Sequence, residues 1–339
     1  VVAFRADTDG LPVAEETGLE YASRARGTLP DGTEVPVMHA CGHDTHITAA
    51  IGTASLLTEN RDEWSGTVVL VFQPGEETAE GAAAMLEDGL WDKAPRPVVV
   101  YGQHVSPDPT GTIRMSVGPA MAQADSLEVT VFGRGGHGSR PEETVDPVVL
   151  AAHMVVRLQT VVSRELGALD AAVVTVATFH AGLKENIIPA TATFTLNVRT
   201  LDGAVREKVL AGIRRVLNGE AAASGAPEPQ VRELYRFPLL VNDPDETGRV
   251  MQVLSGVLGG DKVSERPAQM GSEDFGALPD ALGVPGVYWF FGGMPPSAFE
   301  SGEPVPGNHS PMFAPVMEPT LTTGVLAAYE VIRARLARG

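Results

Sequence analysis

Side chains that commonly bind metal ions occur at three places in the sequence. Cys41, the only cysteine, and His43 lie in MHACGHDTH, Glu76 and Glu77 lie in FQPGEE, and His104 ends VVVYGQH. Thiolate, imidazole and carboxylate groups together suit zinc and related divalent ions. A lone cysteine or histidine is more often a buried or hydrogen-bonded residue than a ligand. The case for a metal site therefore depends on whether the fold brings these segments together.

The elements around these residues predict that it does. Apolar runs such as VVAFRAD, TVVLVFQP and VVVYGQH predict strands, and helical patterns follow CGHDTH and PGEE. This alternation is typical of an α/β fold, in which ligands bind beyond the C-terminal ends of the strands. His104 is expected to close its strand. We therefore expect the three segments to meet at one edge of a doubly wound sheet.

The order of elements changes in the middle of the chain. From Ser126 the patterns predict strand, helix, strand, strand, helix and strand, which is the βαββαβ order of ferredoxin-like domains. After Phe237 the first pattern returns, ending in an amphipathic helix. The sequence thus predicts a discontinuous catalytic domain of residues 1–120 and 237–339, with an inserted lid domain of residues 121–236.

Composition excludes several classes of protein. The net charge of −18 opposes binding to nucleic acid or to anionic membranes, and no apolar run is long enough to predict a membrane span. One cysteine excludes an intramolecular disulfide framework, and no basic-then-apolar leader precedes the first strand, so a cytoplasmic location is expected. Because a buried-type strand begins at Val1, we also expect these residues to be the interior of a longer natural protein.

The adjacent glutamates imply a division of labour. Side chains of neighbouring residues in an extended loop point apart, so one of Glu76 and Glu77 would bind metal while the other acts as general base on a water. The alternative is a solvated acidic loop before a helix.

Cys41 and His43, two residues apart in extended backbone, would point to the same side, and the following helix dipole would favour a thiolate at Cys41.

A competing motif lies in the insert. Residues 133–138, GRGGHG, satisfy the G-x-G-x-x-G pattern of dinucleotide-binding proteins and follow a predicted strand. The next residues, SRPEETVDP, do not open a helix at once, and the strand belongs to a ferredoxin-like order. The context therefore argues against a dinucleotide cofactor.

Nine segments in chain order resemble one known family, and they are RADTDGLPV, EETGLEYAS, MHACGHDTH, FQPGEE, GQHVSP, GRGGHGSRPEETVDP, NIIPA, GSEDF and NHSP. The family is that of the metal-dependent amidohydrolases, which includes hippurate hydrolases, N-acetyl-diaminopimelate deacetylases and auxin-conjugate hydrolases. It is a branch of the dinuclear zinc aminopeptidase and aminoacylase clan. The resemblance implies a zinc-peptidase-like catalytic domain. Relative to the family, we expect that an N-terminal segment is absent here and that the loop RGTLPDGTEVPV is longer than usual.

The resemblance also implies the site. It assigns two divalent ions to five ligands, which are Cys41, His43, Glu77, His104 and His309. The ions would be zinc or manganese, and cobalt or nickel are further alternatives. Glu76 would be the base that takes a proton from water and returns it to the leaving amine. Asp7 and Asp9 would orient the ligands. The part played by His46 stays open between such a role and a place at the start of a helix.

In the insert, the resemblance implies three residues that act on the substrate. His137 would reach an active site across a homodimer interface and stabilise an oxyanion, and Asn186 and Arg199 would hold a carboxylate or carbonyl. A surface charge at a strand end remains the alternative for Arg199. The expected activity is hydrolysis of small N-acyl amino acids. The alternatives are a dipeptidase or carboxypeptidase of the same clan, and a metal-binding module without turnover.

Overall fold

A computed structural model describes residues 1–300 and 302–338. The strands are β1 (Val2–Asp7), β2 (Arg26–Thr28), β3 (Glu34–Pro36), β4 (Val68–Gln73), β5 (Val100–Pro109), β6 (Ile113–Met115), β7 (Gly118–Met121), β8 (Gln123–Phe132), β9 (Gly136–His137), β10 (Ala172–Ala181), β11 (Ile187–Ile188), β12 (Thr191–Thr200), β13 (Gln230–Phe237), β14 (Leu240–Asn242), β15 (Val263–Glu265) and β16 (Gly286–Met294). The helices are α1 (His43–Glu59), α2 (Gly81–Glu87), α3 (Leu90–Lys93), α4 (Pro147–Glu165), α5 (Gly203–Ala223), α6 (Pro244–Leu258), α7 (Ala277–Asp280) and α8 (Met317–Arg335). The predicted α/β class is confirmed.

The chain forms two compact units. The first comprises Val1–Ala120, Val241–Pro267 and Asp274–Gly339, and the second comprises Met121–Leu240 and Ala268–Glu273. The short segment 268–273 has no strand or helix pattern, and nothing in the sequence pointed to its place in the second unit.

The first unit contains a six-stranded sheet in the order β15-β6-β16-β5-β1-β4. β1 pairs in parallel with β4 and β5, and β5 pairs in parallel with β16. Alternate residues such as Phe4, Tyr101 and Trp289 are buried in one core with side chains of α1, α6 and α8. On the opposite face, a Cβ atom at Gly286 would lie 2.7 Å from the Pro279 side chain of α7. Helices therefore cover both faces, and all nine residues of β16 are buried.

The second unit contains a four-stranded antiparallel sheet in the order β10-β12-β8-β13. One core of apolar side chains joins this sheet to α4 and α5. In chain order the elements follow the βαββαβ pattern read from the sequence, with the short pair β9 and β11 added between them.

Several helices begin where local chemistry requires it. The Asp146 carboxylate accepts a hydrogen bond from the Val148 amide at 2.8 Å, and Pro147 takes the first helical position of α4. The same Asp-Pro pair starts α6 at Asp243 and Pro244. An N-cap side chain satisfies an amide that the helix leaves free, and proline needs no amide partner there. Across residues 1–300 and 302–338, none of the helices combines the length and apolar character needed to cross a membrane.

Candidate metal centre

The predicted metal-binding segments meet in the first unit, at the level where β1 and β4 end. Asp7 and Gln73, the last residues of these strands, are paired, and the register of Arg5 with Gly102 puts His104 level with Asp7. The sequence predicted that His104 ends its strand. It does not, because β5 continues to Pro109 in pairing with β16. The predicted strand end was wrong, although the level in the sheet places the imidazole at the same edge.

Distances between ligating atoms are short enough for shared ions. Cys41 Sγ lies 3.5 Å from His104 Nε2, and Glu77 Oε1 lies 3.2 Å from His309 Nε2 and 4.0 Å from His43 Nε2. The ligating atoms of Cys41, Glu77 and His309 all lie within 4.8 Å of one another. Of the five residues that the resemblance assigned as ligands, Cys41, His43 and His309 therefore lie next to Glu77, and His104 lies next to Cys41.

The NHSP segment reaches this site through backbone contacts. The His309 amide donates to the Ala40 carbonyl at 2.7 Å, and Asn308 Nδ2 donates to the carbonyls of Cys41 at 3.0 Å and Val105 at 3.3 Å. His309 has a φ of 73°, in the left-handed region. Asn308 was missed as an anchor, and its only sequence signal is an amide side chain next to a predicted ligand.

Gly42 permits the close packing of the CGH segment. It has a φ of 82°, and a Cβ atom there would lie 2.4 Å from Val105 Cγ1. A side chain would therefore be both strained and clashing. The segment is not extended as the sequence reading assumed, and His43 instead becomes the first residue of α1.

His43 supplies the clearest sign that the site fits a cation. Both ring nitrogens are buried, and neither has a hydrogen-bond partner in the structure. Burial, with the neighbouring His46 and His104, lowers the pKa of His43 to about 2, so the ring stays neutral with a lone pair available. Buried polar atoms normally find partners, and an imidazole without one, among carboxylates and other imidazoles, suits a metal ion.

The tautomers of the other two histidines follow from their partners. His104 Nδ1 lies 2.7 Å from the Val105 carbonyl, which can only accept, so Nδ1 carries the proton and Nε2 faces Cys41. His46 Nε2 accepts a hydrogen bond from the Val105 amide at 2.8 Å, so its Nδ1 carries the proton that bonds to Asp7 Oδ1. His46 therefore contacts Asp7 rather than simply beginning the helix.

The two acids of RADTD join the segments that carry the ligands. Asp7 is fully buried, and its Oδ2 lies 2.8 Å from Arg5 Nη1 and 3.6 Å from His43 Nε2. Burial opposes ionisation, but His46 and the Arg5 guanidinium hold the pKa of Asp7 well below its ordinary value. Asp9 Oδ2 accepts from the Glu77 amide at 3.1 Å, and burial raises the pKa of Asp9.

The two glutamates lie in a closed turn, which we name the glutamate turn (residues 74–81). The Gly81 amide donates to the Gly75 carbonyl at 2.8 Å, so the backbone is not extended. The carboxylates of Glu76 and Glu77 lie within 4.8 Å of each other and of His43. The expectation that they point apart was wrong because it assumed an extended loop.

Cys41 is a protonated thiol in the metal-free protein. Burial, followed by the charges of Glu77 and Glu76, raises the pKa of this thiol above its ordinary value. The expected preference for thiolate from the dipole of α1 is therefore outweighed. A divalent cation would have to displace the proton on binding.

The substrate residues named from the insert lie in the second unit. His137 pairs with Ile187 across β9 and β11, and the Gly138 amide donates to the Asn186 carbonyl at 2.9 Å, so these two predicted residues are neighbours. Arg199 is half-buried near the end of β12. Its Nε donates to the Asn197 side chain at 2.8 Å, and its Nη1 donates to a backbone carbonyl at 2.7 Å.

Comparison with known proteins gives a consistent result. The model of peptidase family M20/M25/M40 matches residues 3–334. Thermostable carboxypeptidase 1 of Saccharolobus solfataricus is 36% identical over 330 residues, which cover 96% of this chain and 78% of that protein. N-acetylcysteine deacetylase of Bacillus subtilis is 36% identical over 293 residues, which cover 86% of this chain and 73% of that protein.

Among solved structures, the Bacillus subtilis YXEP protein is described as a dinuclear metal binding peptidase from the M20 family. It superposes with a TM-score of 0.76 at 31% identity, covering 99% of this chain and 82% of that chain.

Proposed function

The chain belongs to peptidase family M20/M25/M40 and is a hydrolase, and from this premise we propose that it hydrolyses the amide bond of N-acyl amino acids. One observation carries the proposal: the carboxylates of Glu76 and Glu77 lie beside the buried His43, whose ring nitrogens lack hydrogen-bond partners, and Glu77 in turn lies beside a thiol and a further imidazole. Binding alone would need only the ligands, whereas the additional Glu76 beside them supplies a base.

We propose that Cys41, His43, Glu77, His104 and His309 hold two divalent ions. Ions held there would polarise the scissile carbonyl and make a water more acidic. The donor set suits zinc, and manganese, cobalt or nickel are alternatives.

Glu76 would act on the water and the leaving group. Glu76 is 6% exposed, and its carboxylate lies within 4.8 Å of ligating atoms of Glu77 and His43, two of the proposed ligands. It would take a proton from the water and give it to the leaving nitrogen, so the products are a carboxylate and a free amine. The buried position limits exchange of that proton with solvent.

Residues of the second unit would bind the substrate. We propose that His137 stabilises the oxyanion and that Asn186 and Arg199 hold the carboxylate or carbonyl of the substrate. A homodimer through the second unit and a cytoplasmic location remain predictions. The negative net charge disfavours nucleic-acid and anionic-membrane partners.

A second candidate is a dipeptidase or carboxypeptidase, favoured by the 36% identity to the carboxypeptidase of Saccharolobus solfataricus. The two reactions use the same water and base. They differ in whether the group on the acyl side of the cleaved bond is a simple acyl group or another amino acid.

The test is a substrate panel with purified protein that has been stripped of metal and reloaded with zinc or manganese. N-acetyl and N-benzoyl amino acids should be hydrolysed faster than dipeptides, and the reverse order would favour the second candidate. Full hydrolysis by the metal-free protein would exclude the mechanism.

Glu76→Gln should lower kcat by about 10²- to 10⁴-fold while the ions stay bound, because it removes the base. Glu80→Gln is the matched control, since Glu80 is an exposed carboxylate in the same turn. A Glu76→Gln variant as active as the Glu80→Gln variant would contradict the role of Glu76 as base.

A further inference from the structure

One buried carboxylate holds both ends of the glutamate turn. Asp274, in the GSEDF segment, accepts a hydrogen bond at Oδ1 from Gln73 Nε2 at 2.7 Å and at Oδ2 from the Ala82 amide at 2.9 Å. Gln73 is the residue before the turn, and Ala82 is the residue after it. Asp274 is 2% exposed, so these bonds do not compete with bulk water.

The two ends of the turn are already in contact. A Cβ atom at Gly81 would lie 1.8 Å from the Pro74 carbonyl oxygen and 2.9 Å from Gln73 Nε2. The two ends of the turn therefore have little freedom to move apart. Gln73 and Asp274 connect these ends to the sheet.

The same carboxylate is joined to the sheet by a fully buried cation. Arg5 is 0% exposed, and its Nη2 lies 3.2 Å from Asp274 Oδ1 while its Nε donates to Gln73 Oε1 at 3.0 Å. Desolvation offsets much of the attraction in a buried ion pair, so the pair of Arg5 and Asp274 is weak evidence for stability.

The guanidinium of Arg5 also bonds to a second carboxylate at the metal centre. Its Nη1 donates to Asp7 Oδ2 at 2.8 Å, and Asp7 contacts His46 and lies 3.6 Å from His43 Nε2. A single planar group with fixed donor directions thus connects the carboxylate that holds the turn to the carboxylate beside the histidines of α1.

We propose that Asp274, acting with Arg5, is a positioning residue that sets the glutamate turn, and with it Glu76 and Glu77, at a defined distance from the histidines of α1. The expected effect on kcat rests on the proposed function. The expected effect on cation affinity rests only on the geometry of the metal centre. The groups that position ligands typically change metal affinity or activity by about 10- to 100-fold when they are altered.

Asp274→Asn is the sharpest variant. The amide keeps the size of the side chain but replaces one acceptor with a donor, which must then face either the Ala82 amide or the donors of Gln73 and Arg5. We expect kcat to fall by about 10- to 100-fold with KM unchanged. We also expect the affinity for cobalt(II), followed by its absorption in titrations of metal-free protein, to fall by a similar factor.

Glu246→Gln is the matched control. Glu246 is 3% exposed in the same unit, and its carboxylate lies 3.3 Å from Arg249 and 3.4 Å from Arg335, away from the glutamate turn. This variant should lose thermal stability but keep the cobalt affinity and kcat of the unaltered protein.

The outcomes separate positioning from a simple anchor of the fold. If Asp274→Asn loses stability as Glu246→Gln does and keeps its cobalt affinity and kcat, the proposal is overturned. If the Asp274→Asn protein does not fold, the second variant is Gln73→Met, which keeps every charge but removes the hydrogen bonds of Gln73 with Asp274 and Arg5. An unchanged cobalt affinity and kcat in this variant would overturn the proposal. If the unaltered protein hydrolyses no substrate of the panel, the proposed function fails, and an unchanged cobalt affinity of Asp274→Asn would still overturn the positioning role.

Discussion

Replacing His46 by leucine should destabilise the first unit without removing any predicted metal ligand. The imidazole is 1% exposed and makes two buried hydrogen bonds, accepting from the Val105 amide at 2.8 Å and donating to Asp7. Leucine is of similar size and can make neither bond. Both partners would stay buried, because β1 and β5 are central strands of the sheet.

The expected loss of unfolding free energy follows from the two groups that lose a partner, the Val105 amide and the Asp7 carboxylate. A buried amide without a partner costs about 1–3 kcal/mol, and loss of a hydrogen bond to a charged carboxylate costs about 1.5–3 kcal/mol. We therefore expect His46→Leu to lower the free energy of unfolding by about 2.5–6 kcal/mol. His46→Gln should recover about half of this loss, because its carbonyl oxygen can accept from the Val105 amide.

Tryptophan fluorescence during urea unfolding of metal-free protein measures this change. The three tryptophans, Trp64, Trp91 and Trp289, all lie in the first unit, so the signal reports that unit. Thr48→Leu, at an exposed position of the same helix, is the control and should change stability by less than about 0.5 kcal/mol. A loss below about 1 kcal/mol for His46→Leu would refute the two-bond reasoning.

Two further predictions concern the site and its substrate residues. Burial raises the pKa of Cys41, so binding must release the thiol proton, and cation affinity should rise up to about tenfold per pH unit above neutrality. The nearby Glu77 carboxylate raises the pKa of His309, so at lower pH cation binding must also release a proton from this imidazole, and the affinity should rise more steeply with pH there. A cation affinity that does not change from pH 6 to pH 9 would contradict both proton releases. His137→Ala should lower turnover far more than metal content measured on the same sample, and loss of metal would contradict its oxyanion role.

Much of the site could be predicted from the sequence because local patterns set the levels of the strands. The apolar runs before Glu76 and His104 are true strands, and the helical pattern after His43 is a true helix. The register of parallel neighbours then brings residues at corresponding levels together. Asp-Pro pairs at Asp146 and Asp243 likewise mark two helix starts.

Contacts between distant residues could not be predicted in this way. Arg5 bonds to Gln73 and Asp274, which lie 68 and 269 positions away, and an arginine in a strand carries no local sign of such partners. The closed form of the glutamate turn depends on Gly81 meeting Pro74, which is a tertiary contact. The protonated state of Cys41 depends on burial among acids, whereas the sequence suggests only a helix dipole.

The central claim is that five side chains, one of them that of Glu77, hold two divalent ions. Elemental analysis of protein that has been stripped, reloaded with zinc and dialysed tests it most directly, with Glu77→Ala beside the unaltered chain. We predict two ions per unaltered chain and one or none in the Glu77→Ala variant. Absence of bound ions from the unaltered chain, or an undiminished count in the Glu77→Ala variant, would contradict the assignment.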